Sequence, residues 1–304
     1  MTLENVVGFL ANTGKTKLAI EVADHFSDNS KDLNNYIELS KAYFSIHEYD
    51  KAIDACKKSL SMTFDYNVKN EILNNMVRIY FFANMNEEAL GILNKLPSTP
   101  DVLVIKNDIL NAMEHKKEVS ATGYWSLKLA ETHMFCEELA AWISNYLDKN
   151  ETIHDFGCGI GSYLKYLKSK GFIDLNGYEG EASNKEFSNI FRQDLAESFS
   201  VNKKGNVICL EVGEHIPKQY KDVFLDNICN ACNGKLILSW AIRGQYSSSH
   251  INCLNNDEVI PEIEKRGFRY LKEDSTKARN IIKPDGCNWF CNTILVYEKL
   301  QKRI

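Results

Sequence analysis

The sequence predicts two parts: an all-α repeat region over residues 1–116 and an α/β domain over residues 117–304. The second part is expected to be a mostly parallel sheet with helices on both faces. Three observations lead there. Apolar residues in the first third recur at helical spacing, and the whole pattern returns after about 34 residues. A glycine turn, Gly157-Cys-Gly159-Ile-Gly161, separates a short apolar strand pattern from an amphipathic helix. Beyond it, strand and helix patterns alternate, which is how a chain builds a parallel sheet.

Length and charge bound the rest. A chain of 304 residues has room for two domains. The net charge of −5 and pI near 5.9 leave no electrostatic footprint for nonspecific nucleic-acid binding, so no nucleic-acid partner is expected. No apolar run is long enough to span a bilayer, and the start "MTLENVVGFL" lacks a basic segment and cleavage site. No membrane partner is expected. Nine cysteines, an odd number scattered along a long chain, read as reduced thiols in a cytoplasmic compartment. The one Cys-x-x-Cys, Cys229 to Cys232, falls in a helical pattern with no second pair, so neither zinc nor redox use is expected of it.

In the first third, "LSKAYFSIHEYDKAIDACKKSL" and "MVRIYFFANMNEEALGILNKL" align with Leu39 on Met76, Tyr43 on Tyr80 and Ala52 on Ala89. Leu10 and Ala19 begin a weaker third copy. The alanines step by 33 and then 37 residues. A period near 34 with a small residue where two helices touch resembles tetratricopeptide repeats. Tyr36 and Leu73 stand where that repeat has tryptophan, and its closing proline is absent. The resemblance implies a docking surface for a protein or an extended substrate, and a stabilising or dimerising appendage stays open beside it. Gly14-Lys15-Thr16 looks like the end of a phosphate-binding loop, but that loop needs a glycine six positions before its lysine, and Phe9 stands there. The repeat alignment puts Gly14, His47 and Asn84 at equivalent turns between helices, where glycine can adopt positive φ.

The second part opens with a linker, "EHKKEVSATGYWS", and an amphipathic helix over about 127–147. A strand then ends at Asp155-Phe156, the glycine turn follows, and a helix runs from about Ser162 to Lys170. A second strand ends at Tyr178-Glu179 and a third at Gln193-Asp194-Leu195. A buried fourth strand, Val207–Leu210, ends in Glu211, and "GKLILSWAI" is the fifth. A helix over about 256–266 precedes two closing strands, in "FRYLKED" and "WFCNTILVYEKL", joined by a loop.

Asp155-Phe156-Gly157-Cys158-Gly159-Ile-Gly161 resembles motif I of the class I S-adenosylmethionine (SAM) methyltransferases. Glu211-Val-Gly-Glu214-His215-Ile-Pro resembles their motif IV, and a closing antiparallel pair resembles their sheet. The resemblance implies a Rossmann-like seven-stranded methyltransferase sheet, SAM as cofactor and a methyl acceptor as partner. It implies that the Asp155–Gly161 turn lies against the methionine part of SAM, with Asp155 orienting its amino end. Glu179, eighteen residues after Gly161, would hold the ribose hydroxyls, because a carboxylate accepts two hydrogen bonds at once. Asp194 would take the adenine amino group, with Leu195 against the ring, and Glu211 would border the cofactor.

Methyl transfer from a sulfonium needs alignment of the acceptor and removal of its proton. His215 is the candidate base, with Glu211 or Glu214 orienting it. Glu-x-x-Glu-His followed by His250 also resembles two metal-assisted members of the family, the ubiquinone-pathway O-methyltransferases and the small-RNA 3′-end 2′-O-methyltransferases. That resemblance implies a divalent cation, Mg or Zn, on Glu211, Glu214, His215 and His250, and an oxygen acceptor on a small molecule or glycan. Tyr124 and Trp125 are candidates to cover the methionine or the acceptor, against simple packing. Trp240, Arg243 and Tyr246 are candidates for an acceptor wall. Two other readings stay open. An NAD(P)-dependent oxidoreductase would want a third glycine where Ser162 stands. A non-catalytic scaffold would keep the fold without turnover.

Overall fold

The computed structural model describes residues 2–181, 189–245, 247, 249–283 and 286–301. The chain divides into two compact units, one of residues 1–117 with 243–248, the other of residues 118–242 with 249–304. Among the described residues no helix is long and apolar enough to cross a membrane.

The first unit is helical: α1 (Leu3–Asn12), α2 (Thr16–Asp28), α3 (Leu33–Ser45), α4 (Tyr49–Ser61), α5 (Tyr66–Phe82), α6 (Asn86–Leu93) and α7 (Pro100–Lys116). The two helix ends in each repeat are made differently. The odd helices begin at a side-chain cap: Thr2, Asp32, Asp65 and Thr99 each accept a backbone N–H of the first turn. Such a cap stabilises a helix by about 1 kcal/mol. The even helices have none and are entered through a tight left-handed turn. Gly14, His47 and Asn84 carry φ of 75°, 61° and 59°. The bonding repeats as well: the next amide, of Lys15, Glu48 or Met85, reaches back to Leu10, Tyr43 or Tyr80 at 2.9 Å each time. This is a helix C-terminal motif closed by a residue in the left-handed region. Gly14 is therefore a turn residue. Ala19, Ala52 and Ala89 are fully buried where successive helices meet, and larger side chains there would overpack by about 1–3 kcal/mol.

The second unit carries α8 (Leu127–Ala130), α9 (Glu137–Tyr146), β1 (Ile153–Phe156), α10 (Ser162–Ser169), β2 (Leu175–Glu179), β3 (Ile190–Arg192) and β4 (Gly205–Cys209). It continues with α11 (Lys221–Ala231), β5 (Cys232–Leu238), α12 (Asn256–Glu264), β6 (Phe268–Tyr270), α13 (Lys272–Asn280), α14 (Phe290–Thr293) and β7 (Leu295–Lys299). The sheet order is β3-β2-β1-β4-β5-β7-β6. Strands β1 to β5 are parallel, and β7 runs antiparallel between β5 and β6. This is the seven-stranded sheet that the sequence implies. Strand alternation feeds a core on each face. Ile208, Ile237 and Val296 pack with α9 and α10. Val207, Cys209, Leu236, Leu238 and Leu295 pack with α11 and α12. The order reverses between β1 and β4, and the carboxyl ends of the strands there border a crevice.

Three expectations need correction. The single helix over 127–147 is two helices: α8 closes with Thr132 and His133 bonding back to Leu129 and Ala130, and α9 restarts at Cys136 with Glu137 and Glu138 in its first turn. Acidic residues favour a helix start there. Cys232 is not helical but opens β5, and both it and Cys229 are buried thiols pushed up to about 12 by desolvation. The two closing strands are joined by α13 and the short α14 rather than by a loop.

Candidate functional site

The glycine turn leaves β1 and folds over the end of β2, with the Gly157 amide donating to the Tyr178 carbonyl at 2.8 Å. Gly157 and Gly159 are each required twice. Both have positive φ, 74° and 53°. A Cβ on Gly157 would sit 2.4 Å from Val212 Cγ2, and one on Gly159 would sit 2.7 Å from His133 Nδ1. Val212 and His133 pack against the bare backbone where side chains would otherwise stand. Gly161 caps α10.

Two buried carboxylates lie beside this turn. Glu179 Oε2 accepts the Gly159 amide and Oε1 accepts the Gly180 amide, both at 2.8 Å. Each oxygen keeps a second lone pair. Burial raises the Glu179 pKa, and the two amides partly offset it. Asp155 is buried beneath the turn with no hydrogen-bond partner for Oδ2. Its pKa is pushed up to about 8, chiefly by burial and then by the Glu179 charge. At the end of β3, Asp194 Oδ1 accepts the Ala196 amide at 2.9 Å, and Oδ2 accepts the Thr122 hydroxyl at 2.6 Å. Leu195 lines the cleft beside it. Phe156 and Cys158 do not bring their side chains to the cleft. The Phe156 ring stacks on Tyr178 at 4.9 Å, and the Cys158 sulfur fills the space beside Gly177.

The loop after β4 holds the second set. Glu211 has φ of 53° and donates its amide to Ser239 Oγ at 2.7 Å. The Glu214 carbonyl accepts the Ile251 and Asn252 amides, both at 2.9 Å. That docking places His250 beside His215, with ring centroids 5.0 Å apart. One ligand atom from each of Glu214, His215 and His250 lies within 4.8 Å of the others. Glu211 is outside that set, although its charge acts on Glu214. The Glu214 side chain is completely buried, and neither oxygen meets full hydrogen-bond geometry, although the Glu214 and Ala241 amides lie close enough to lower its pKa. Burial first, then Glu211, holds its pKa well above the carboxylate range. His215 Nδ1 lies 3.0 Å from the Ser249 carbonyl, which only accepts, so Nδ1 carries the proton and Nε2 keeps its lone pair. Burial lowers the His215 pKa to about 3.

A cleft lined by residues of both sets joins them. Its remaining wall is the segment 118–135. Trp125 sits between His133 and His215, with centroids 4.6 and 4.8 Å away. Tyr124 packs on Gly180, where a Cβ would come within 2.2 Å of its ring. Trp125 and Tyr124 thus lie in the cleft wall rather than merely packing on a helix. Sequence reasoning missed His133, which falls inside a continuous helical pattern, and Thr122, whose partner is 72 residues away. The turn-forming Ser-Ala-Thr-Gly at 120–123 was the available signal. Trp240 is no acceptor wall: it is fully buried and donates Nε1 to the Asn252 carbonyl at 2.7 Å. Arg243, in a segment belonging to the first unit, lies 3.1 Å from Glu48. Tyr246 lies outside the described residues.

Among solved structures, the chain is similar to the magnesium protoporphyrin IX methyltransferase of Synechocystis PCC 6803 with bound S-adenosylhomocysteine (SAH). Identity is 18% over 74% of this chain and 99% of that chain, with a TM-score of 0.40. It is similar to the 1,6-didemethyltoxoflavin-N1-methyltransferase of Burkholderia thailandensis, at 10% identity over 68% and 92%, TM-score 0.41. It is also similar to the [4+2]-cyclase SpnF, at 12% identity over 63% and 92%, TM-score 0.40. Likenesses of this size carry nothing about activity, and one of the three is named for a cyclisation. No family model and no curated protein matches the chain.

Proposed function

We propose that the second unit is a SAM-dependent methyltransferase that binds SAM in this cleft and methylates an oxygen of a small molecule or glycan. One observation carries the cofactor assignment. Among the described residues the cleft is lined by Glu179, Asp194 and Glu211 and by no lysine or arginine. An acidic lining suits a cationic sulfonium and ammonium and opposes the pyrophosphate of a dinucleotide. Ser162 in place of the third glycine points the same way. Thermal melts with SAM, SAH and NAD(P) test the assignment. A rise with the SAM pair alone is expected. No rise with SAM or SAH refutes it.

SAM supplies a methyl group already activated on sulfur. The chain's residues bind and orient. Glu179, held by two amides, offers its free lone pairs to the ribose hydroxyls. Asp194 accepts the adenine amino group, and Asp155 faces the ammonium end across the glycine turn. His215, with Nδ1 held by the Ser249 carbonyl and Nε2 left bare, takes the proton of the acceptor hydroxyl, and the burial that lowers its pKa works against this role. His215→Ala then lowers turnover by about 10²-fold. A loss below about threefold removes the residue from this role.

A second reading of the same residues is favoured by the Glu214 carboxylate, fully buried beside two histidines. Glu214, His215 and His250 fit a divalent cation: one hard oxygen donor and two imidazoles suit Zn or Mg, and the Ser249 carbonyl fixes the His215 tautomer as a metal ligand needs. A cation there would lower the pKa of an acceptor hydroxyl. Metal analysis of the purified protein and turnover after EDTA decide this. No bound metal and unchanged turnover refute it.

The helical unit is read as tetratricopeptide-like and as the docking surface for the acceptor or its carrier. A groove between α2, α3 and α4, edged by Tyr36, Tyr43, Lys51, Asp54 and Lys58, supports this. Charge reversal at Asp54 and Lys58 should lower labelling of acceptors in a lysate while leaving SAH affinity unchanged. Unchanged labelling removes the docking role. All nine cysteines are free thiols, which suits a reducing, cytoplasmic compartment.

A further inference from the structure

Residues 118–126 fold back on themselves as a small strap. Val119 bridges Trp125, the Ser120 amide donates to the Tyr124 carbonyl at 2.8 Å, and the Ser126 amide donates to the Glu118 carbonyl at 2.7 Å. Two contacts seat the strap at one end of the cleft. Tyr124 lies on Gly180, and Thr122 donates to Asp194. Both partners lie just after strands, β2 and β3, while Gly123 and Trp125 of the same strap lie against His215. The interior of the strap is wired toward Asp194. Ser120 Oγ accepts the amides of Thr122 and Tyr124, at 3.3 and 3.0 Å. It lies 3.1 Å from Thr122 Oγ1. Thr122 spends its only proton on Asp194, so the proton between the two hydroxyls belongs to Ser120. The hydrogen bonds run in one direction, from backbone amides to Ser120, to Thr122 and to the carboxylate.

We infer that Thr122 is a positioning residue that sets the cofactor's base specificity by locking the Asp194 carboxylate as a fixed acceptor. The inference rests on the SAM assignment above. With Oδ1 on the Ala196 amide and Oδ2 on Thr122, the carboxylate cannot rotate, and each oxygen keeps one lone pair. An acceptor-only group held in one orientation favours a purine edge that presents an amino group. It repels one that presents a carbonyl, because two acceptors then face each other. A hydroxyl bonded to a carboxylate is a charge-assisted contact, and its loss weakens the orientation rather than the charge.

The test is calorimetric binding of SAH and of its deaminated analogue S-inosylhomocysteine to the full chain. Thr122→Val should weaken SAH about tenfold and leave the inosine analogue within twofold, so the preference for the amino purine falls about tenfold. Thr122→Ser, which keeps the hydroxyl, should restore it. Ser120→Ala, which removes the donor to Thr122, should move the ratio in the same direction by a smaller factor, and it serves if Thr122→Val fails to fold. A ratio unchanged in folded Thr122→Val overturns the inference while the cofactor assignment stands. Absence of SAH binding by the unaltered chain overturns the cofactor assignment and this inference with it.

Discussion

Asp155→Asn should make the ligand-free protein more stable at neutral pH while weakening its hold on the cofactor. The reason is the cost of burying a carboxyl that has no partner. In the fold the Asp155 pKa is about 8, against 3.8 in the unfolded chain. Between those values the folded state holds a proton that the unfolded state has released, so stability falls as pH rises from about 4 to 8 and levels off above. At pH 7 the difference corresponds to about 4 kcal/mol. Asparagine carries no titrating proton and escapes this cost. It adds two amide protons where Asp155 Oδ2 already lacks a partner, and leaving them unmatched takes back about 1–3 kcal/mol. The net gain is about 1–3 kcal/mol, or roughly 2–10 °C for a unit of this size. The assay is a series of thermal melts of both proteins from pH 4.5 to 8.5. The variant should melt higher at pH 7.5, and the gap should close toward pH 4.5. Calorimetry should show SAH affinity lower by tenfold or more, since the carboxyl that can ionise opposite the ammonium is gone. A variant that melts below the parent at pH 7.5, or a gap independent of pH, refutes the argument.

Gly14→Ala should cost about 1–2 kcal/mol through backbone strain alone, because φ is 75° and nothing lies within 4 Å of the added methyl. SAH affinity should not change. Glu179→Gln should weaken SAH by ten- to a hundredfold in calorimetry, because the amide nitrogen turns a donor toward the Gly159 or Gly180 N–H. Asp174 accepts from Lys203 at 2.7 Å and Thr152 at 2.6 Å, which hold its pKa at about 2. Its contribution is therefore present above pH 4 and lost as pH falls through 2. The group is largely solvated, so Asp174→Asn should cost under about 1 kcal/mol at pH 7 and flatten the acid limb of an unfolding titration.

Much of the fold was legible because local chemistry and global pattern agree. Val207, Ile208 and Cys209 are an unbroken apolar run, and the strand they form is buried on both faces. The helical repeats were legible at their turns. Three different residues, glycine, histidine and asparagine, share one backbone conformation, and the repeat spacing found them without a shared residue type. α13 was not legible, because "KEDSTKARN" has almost no apolar face and is held by Ser275 and Ala278 against the sheet. The break at 131–136 was hidden for the opposite reason: helical spacing continues through it.

The site shows the same division. Glu211, Glu214 and His215 are neighbours in sequence, and reading them with His250 as one set treats proximity in the chain as proximity of side chains. The structure brings Glu214, His215 and His250 together and leaves Glu211 beside Glu214. Glu211 takes a left-handed conformation and falls outside the ligand set. Glu214 gathers the set, but with its carbonyl: two amides from 251 and 252 bond to it and bring His250 to His215. A motif lists side chains and is silent about main-chain oxygens. The residues that finish the cleft, Thr122, Tyr124, Trp125 and His133, were hidden for a related reason. Their partners Asp194, Gly180 and His215 lie tens of residues away, and only the closed fold brings them together.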